Sequence, residues 1–381
     1  MMALAESREG VIRLEAGEPS FKTPEHIIDA AFAGARAGFT KYTNNAGVRS
    51  LREAIAERQS ARFDRAVSAD EVFVASGATG ALAATVLAIV EEGDEVLVPD
   101  PGWPNYRSIV QLAGGRLVTF PLRRELGYQP DADALAAAFS PRTKAILVNS
   151  PANPTGAMLT AASMQLIMQL ARQFDAYVVS DEVYEELVFD GLEHVSAGRF
   201  DEDRRAVVIS GCSKTYAMTG WRLGWAVADP SLVSFMATLQ ESLTACASSI
   251  SQRAAEAALR GPQSAVVEMR NAYERRRNLV CDMLAPHSLL SFRPPGAFYV
   301  MADLSDLRTP SQELALALLD EEGVATAPGS TFGSLTEGML RLSLATSEDL
   351  LLEGCRRLIK FAERRRQSMS SADAERNCVS Q

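Results

Sequence analysis

Histidine is scarce in this chain of 381 residues, and the three present, His26, His194 and His287, stand far apart. No HExxH-type pair forms, and the five cysteines (Cys212, Cys246, Cys281, Cys355 and Cys378) contain no CxxC. An odd set of scattered thiols predicts neither a disulfide framework nor a zinc site, so a metal-free protein is expected. Basic residues are also short: 38 Lys plus Arg against 48 Asp plus Glu leave a formal charge of −10. That balance speaks against nucleic acid as a partner, which needs a basic surface, while leaving room for a local basic pocket around a small anion. Long apolar runs are missing too. The longest, Ala81 to Val90, falls far below the ~20 residues of a membrane span, so no membrane association is expected. The opening MMALAESREG has neither the basic head nor the apolar stretch of a secretory signal, and a cytoplasmic location is expected. Finally, no GxGxxG opens a helix after the first strand, which removes the fingerprint of a nicotinamide-dependent dehydrogenase.

What is present is an ordinary globular balance, 47% hydrophobic and 23% charged, at a length suited to about two domains. Short β-rich runs alternate with Ala/Leu-rich helical ones. Strands are predicted at Glu71–Ala75, Glu95–Val98, Leu117–Phe120, Ala145–Val148, Tyr177–Val179 and Ala206–Ile209. Helices are predicted from Ser76–Gly80 to about Val90, over Ala132–Phe139 and over Ala161–Phe174. The alternation implies βαβ units, and the nearly continuous apolar strands around Val148, Val179 and Ile209 imply a mostly parallel sheet covered on both faces. After about Arg253 the texture changes to a long charged helix, roughly Gly261 to Leu284, then a smaller α+β unit. That unit holds Gly296–Met301, a helix near Ser311–Glu321 and the strand Leu340–Leu344. The expected division is 1–45 as an N-terminal segment joining the small domain and a dimer interface, and 46–284 as the large domain. Residues 285–365 form the small domain, and the polar stretch 366–381 is an unstructured tail.

The chemistry is carried by Ser210-Gly-Cys-Ser-Lys-Thr-Tyr-Ala-Met-Thr-Gly-Trp-Arg-Leu-Gly224. Most lysines are solvated surface charges, but Lys214 follows a parallel strand at its carboxyl end, where open α/β sheets bind ligands. Small residues surround it. A lysine that attacks a carbonyl needs a confined site near other positive charge to lower its pKa. Two neighbouring strand ends add Ser150-Pro-Ala-Asn-Pro-Thr-Gly156 and Ser180-Asp-Glu-Val-Tyr184. Separately these read as turn chemistry and as a helix cap; together with the lysine they read as one site.

These motifs resemble those of the class I aminotransferases, pyridoxal-phosphate enzymes of fold type I, and specifically the bacterial branch of aspartate and broad-specificity members. The likeness runs from Leu14-Glu-Ala-Gly-Glu-Pro19 to Leu340-Arg-Leu-Ser-Leu-Ala-Thr346. It implies an α/β protein with a mostly parallel mixed central sheet, a smaller α+β domain, and a homodimer with shared active sites. The implied cofactor is pyridoxal 5'-phosphate, with pyridoxamine phosphate as its alternate form in a ping-pong transfer from an L-amino acid to a 2-oxo acid.

By the same resemblance, Lys214 forms the Schiff base and acts as catalytic base, and Asp181 pairs with the pyridine nitrogen. Asn153 and Tyr184 donate to the ring's phenolic oxygen. Trp103, in Pro101-Gly-Trp-Pro-Asn-Tyr106, stacks on the ring; as a bare residue it reads rather as core. Gly77, Ala78 and Thr79 open a helix whose N–H groups suit the phosphate, with Arg222 as cation and Ser213 as hydroxyl donor. Tyr42, otherwise a surface aromatic, corresponds to the tyrosine that reaches the neighbouring subunit's phosphate. Arg341 sits in an apolar strand, where an unpaired charge is costly; an internal salt bridge or a bound anion would satisfy it. The resemblance makes it the fork that grips the substrate α-carboxylate, beside Asn153 and Gly17. Pro294–Tyr299 and Ala327–Phe332 match further family signatures to which no role attaches.

Substrate choice is less legible. Some relatives carry a lysine where this chain has Thr79, which puts aspartate in doubt, and the short segment before Gly17 predicts an open entrance that admits larger substrates. Two rival readings keep the cofactor but change the outcome: a lyase, cyclase or decarboxylase on the same fold, and a non-catalytic sensor. The intact set of Lys214, Asp181, Arg222 and Arg341 argues against the second.

Overall fold

The computed structural model describes residues 1–379. Seven strands form the main sheet: β1 (Val72–Ala75), β2 (Glu95–Asp100), β3 (Arg116–Pro121), β4 (Thr143–Asn149), β5 (Tyr177–Asp181), β6 (Ala206–Gly211) and β7 (Gly224–Val227). Their order across the sheet is β1-β7-β6-β5-β4-β2-β3, and β7 alone runs antiparallel to its neighbours β1 and β6. The strand β7 was not expected from the sequence, since its four residues begin on Gly224, the last residue of the lysine motif.

Both faces of the sheet are buried, and successive residues of each strand divide between two apolar clusters. Val72, Ile146, Val148, Val178 and Val208 enter one, while Phe73, Ala145, Leu147, Val179 and Val207 enter the other. This is why the strands read as unbroken apolar runs rather than alternating ones. Fully buried Phe73, Phe120 and Trp225 anchor the two layers, each contributing about 2–3 kcal/mol of apolar burial.

A second, antiparallel sheet joins β8 (Tyr299–Asp303), β9 (Ala327–Pro328) and β10 (Met339–Ser343) in the order β9-β10-β8. The N-terminal segment ties into it: Ile12–Arg13 pairs in parallel with Val324–Ala325, and Ser343 N–H donates to the Leu14 carbonyl at 2.8 Å. Leu14 is fully buried among Tyr299, Leu340 and Leu342.

The helix Ser264–Leu284, expected as the last element of the larger body, sends Met269, Tyr273, Val280 and Leu284 into the apolar cluster that covers the second sheet. Their spacing by four and seven puts one apolar stripe on that side. The last helix, Glu348–Val379, occupies most of the stretch 366–381 for which an unstructured tail was expected. Arg364 meets Glu321 and Glu322 at 2.6 and 2.8 Å, and Arg366 meets Asp306 at 2.7 Å. Residues 380 and 381 of the expected tail lie outside the described residues.

Gly224, at the start of β7, touches the backbone of Gly77 and Ala78, so a Cβ there would collide with the first turn of the helix Gly77–Ile89. Gly224→Val should therefore push that helix off the sheet edge and cost about 1–3 kcal/mol, the range for overpacking, read as a lower urea midpoint at unchanged slope.

Candidate active site

The carboxyl ends of the parallel strands converge on a cavity of about 460 Å³. Asp181 ends β5, Asn153 follows β4, Trp103 follows β2, and Lys214 lies just past β6 in the short helix Cys212–Thr215. Ala78 and Thr79 come from the helix after β1. Because β7 runs the opposite way, Arg222, two residues before its start, reaches the same edge. Arg341 enters from β10 of the smaller sheet, and Gly17 from the N-terminal segment. Tyr184 and Ser213 complete the set of expected residues on the cavity wall.

Two expected residues stand apart. Gly77 lies behind the wall, against the Arg222 guanidinium, with a φ of +82° that a side chain would resist. Tyr42 is 87% exposed and does not line the cavity. Met2 of the N-terminal helix Met2–Glu6 also lies on the cavity wall.

The electrostatics diverge in opposite directions from one cause. Burial lowers the Lys214 pKa to about 8, helped by the positive charges of Arg341 and Arg222 and opposed by Glu18 and Asp181. Its Nζ donates to the Gly17 carbonyl at 2.6 Å. Burial raises Asp181 to about 6, held back by donations from the Tyr106 hydroxyl and the Val183 N–H. Tyr106 donates to Asp181 Oδ2 at 2.8 Å, and its ring meets Trp103 edge-on at 5.4 Å. Asn149 supports the same strand end, with its amide donating to the Asp181 carbonyl at 2.8 Å and its oxygen accepting from Asn153 N–H at 2.7 Å.

Arg341 is 6% exposed, and among the described residues no carboxylate lies within ion-pair distance. Its Nη1 donates to Asn153 Oδ1 at 2.8 Å, its Nη2 donates to the Glu15 carbonyl at 2.6 Å, and its Nε has no partner. An internal salt bridge, one of the two readings open from the sequence, is thereby removed. Arg222 likewise meets no carboxylate among the described residues and donates to the Thr219 carbonyl at 2.9 Å. Ser76 caps the helix Gly77–Ile89 without a side-chain hydrogen bond, which leaves the first N–H groups free beside Arg222. A buried fork, an exposed cation over a bare helix start, a lysine of lowered pKa and an acid at the opposite wall fit a phosphorylated aldehyde cofactor and a carboxylate substrate.

Sequence reasoning missed Tyr106, Asn149 and Tyr299. Tyr106 stands three residues beyond Trp103 and Asn149 four before Asn153, so proximity to recognised motifs held a signal for both. Tyr299, on β8, meets the Tyr184 hydroxyl at 2.8 Å, a contact between two bodies that no local pattern announces. A buried group of metal-ligand type, Glu182, Glu185 and His194, lies outside the cavity wall. Its acids are partnered: Glu182 by His194 Nε2 at 2.8 Å and Ala197 N–H at 3.0 Å, Glu185 by Ser210 Oγ at 3.0 Å with Arg62 at 3.6 Å.

The family described as aminotransferase class I and II matches residues 9–358. The chain is 40% identical to the aspartate/prephenate aminotransferase of Thermus thermophilus over 95% of its length and 94% of the relative's. It is 39% identical to the arginine–pyruvate transaminase of Pseudomonas aeruginosa, covering 94% and 91% of the two chains. The aromatic aminotransferase structure from Pyrococcus horikoshii superimposes with a TM-score of 0.91 at 36% identity, over 96% of this chain and all of that one. With this site on this sheet, the chain belongs to the class I and II aminotransferases, a pyridoxal-phosphate-dependent family of transaminases.

Proposed function

We propose that Lys214, Asp181, Tyr184, Asn153 and Trp103 hold the ring of pyridoxal phosphate, while Gly77, Ala78, Thr79, Ser213 and Arg222 hold its phosphate. Arg341, with Gly17 and Asn153, takes the substrate α-carboxylate. The protein works as a homodimer in which Tyr42 serves the partner's site. The division at residues 46–284 and 285–365 belongs to the same proposal. The observation that carries it is the buried Arg341 guanidinium, free of any carboxylate, facing the same cavity as a lysine of lowered pKa.

When bound, the cofactor supplies the aldehyde and the electron-withdrawing ring on which the amino group changes hands. The chain supplies the rest. Asp181, with a pKa near 6, is ionised at neutral pH and stabilises a protonated ring nitrogen, and the Tyr106 donation favours that ionised form. Arg341 fixes the carboxylate in its plane, because Asn153 and the Glu15 carbonyl hold two of its three nitrogens. Lys214 has a substantial neutral fraction at physiological pH, so its amine would take the proton from Cα and return it to the carbon on the far side of the amino nitrogen. Proton transfer by a positioned group contributes about 100- to 10,000-fold. A 2-oxo acid then uses the same contacts in reverse, which makes the cycle ping-pong.

Lys214, Arg222 and Arg341 are the cations on the cavity wall among the described residues, and each already has a role. Thr79, Leu82 and Met2 line part of the remainder, with Glu15 and Glu18 nearby. That supports an amino donor whose side chain carries no negative charge.

Lys214→Ala should bind added pyridoxal phosphate without bonding to it. Mass spectrometry after borohydride treatment should find no cofactor adduct, and transamination should fall by about 1,000-fold or more. Arg341→Lys should raise the amino-donor KM by about 10- to 100-fold, since an ammonium cannot reproduce the fork, and steady-state rates should favour aromatic or aliphatic donors over aspartate. In the cofactor-free protein, labelling of Lys214 by an amine-reactive ester should rise with pH through a midpoint near 8 and level off about one unit higher. The neutral amine is the nucleophile, and its folded-state pKa is depressed from 10.5. Peptide mapping across a pH series reads the midpoint; one near 10 would remove the lysine from a buried cationic site.

A further inference from the structure

Two sequence signatures without a role, Pro294–Tyr299 and Ala327–Phe332, meet at Arg341. The Arg341 Cζ lies 4.3 Å from the Tyr299 ring centroid and 4.8 Å from that of Phe332. Both rings are buried. A guanidinium packed against two aromatic rings has fewer ways to tilt than one held by hydrogen bonds alone, and the ring faces lower the cost of keeping its charge out of water.

Phe332 is not held only by its own body. Its carbonyl accepts from Gly102 N–H at 2.8 Å, and Gly102 follows β2 of the main sheet. One residue on, Gly333 has a φ of +149° and lies against the Asp100 carboxylate, where a Cβ would collide. Asp100, the last residue of β2, accepts from Ser334 Oγ at 2.7 Å, Ser334 N–H at 3.2 Å and Leu335 N–H at 3.3 Å. A carboxylate on the edge of one sheet thus holds the loop that presses an aromatic ring onto the arginine of the other. The strand that leads into the loop, Ala327–Pro328, pairs with Arg341 and Leu340 themselves.

We infer that Asp100 and Phe332 are positioning residues for Arg341: the Asp100–Ser334 latch docks the Gly329–Ser334 loop on the main sheet, and Phe332 transmits that docking to the plane of the guanidinium. The grip on a substrate carboxylate then depends on contact between the two bodies, so the carboxylate site is complete only when the loop is latched. This rests on Arg341 being the carboxylate site. Neither residue touches the carboxylate; each acts through the arginine.

The test is calorimetric titration of the cofactor-loaded protein with 3-phenylpropanoate, a carboxylate without an amino group, alongside steady-state kinetics. Asp100→Ala and Phe332→Leu should each raise the Kd by about five- to tenfold, the range for one lost cation–π contact or charge-assisted hydrogen bond, with KM rising more than kcat falls. Ser334→Ala, which removes only the shortest bond of the latch, should give a smaller rise in the same direction. Phe332→Tyr should restore binding that Phe332→Leu loses, a rescue that a loss of general stability would not show. Melting temperatures identify any variant that fails to fold, and Ser334→Ala and Phe332→Tyr then carry the test. If Arg341→Lys weakens binding while Asp100→Ala, Ser334→Ala and Phe332→Leu leave the Kd unchanged, the latch is overturned and the carboxylate role of Arg341 stands. If Arg341→Lys itself leaves the Kd unchanged, both fall together.

Discussion

A positive charge kept from water without an opposite charge is the constraint around which this molecule is arranged. Desolvating a guanidinium costs several kcal/mol unless hydrogen bonds and other partners compensate. Arg341 has an amide oxygen, a main-chain carbonyl and two aromatic rings, and no carboxylate. Those partners come from the loop after β4, the N-terminal segment, β8 and the loop after β9. The guanidinium is therefore the point where four separated stretches of chain must agree. It also keeps unspent capacity for an anion, which a salt bridge would have consumed.

The rest of the pocket follows from the direction of the strands. Parallel strands deliver Trp103, Asn153, Asp181 and Lys214 to one edge, and the single reversed strand β7 delivers Arg222 to that edge from its own beginning. Burial at that edge then separates the two titrating groups. It drives the lysine toward its neutral form and the acid toward its protonated form, and the Tyr106 hydroxyl limits the second effect. The pair is thereby brought near neutrality from both sides, the arrangement acid–base chemistry needs.

Legibility divides along the range of the interaction. The strands around Val148, Val179 and Ile209, and the lysine, NPTG and DEVY motifs at their ends, are local patterns, and the cavity gathers them nearly whole. Gly17, far away in the chain, was also named, on resemblance. The supports were less visible. Asn149 and Tyr106 act through side chains already recognised, and Tyr299 acts across two sheets. The helix Ser264–Leu284 shows its apolar stripe in the sequence, but which body the stripe faces is a question of packing. The polar end of the chain looked unstructured because it has no apolar face. The ion pairs of Arg364 and Arg366 to residues several dozen positions earlier supply what that face lacks.

By itself the order of amino acids determined the kind of sheet, the identity of the lysine and its complement, and the family, since periodicity and short motifs are properties of neighbours in the chain. Tertiary structure alone decided that Arg341 has no acidic partner among the described residues, that Lys214 and Asp181 are displaced toward each other in pKa, and that Tyr299 and Phe332 converge on one guanidinium. Charge, burial and contact depend on distances through space, and residues as far apart as Glu15 and Arg341 acquire a distance only when the chain has folded.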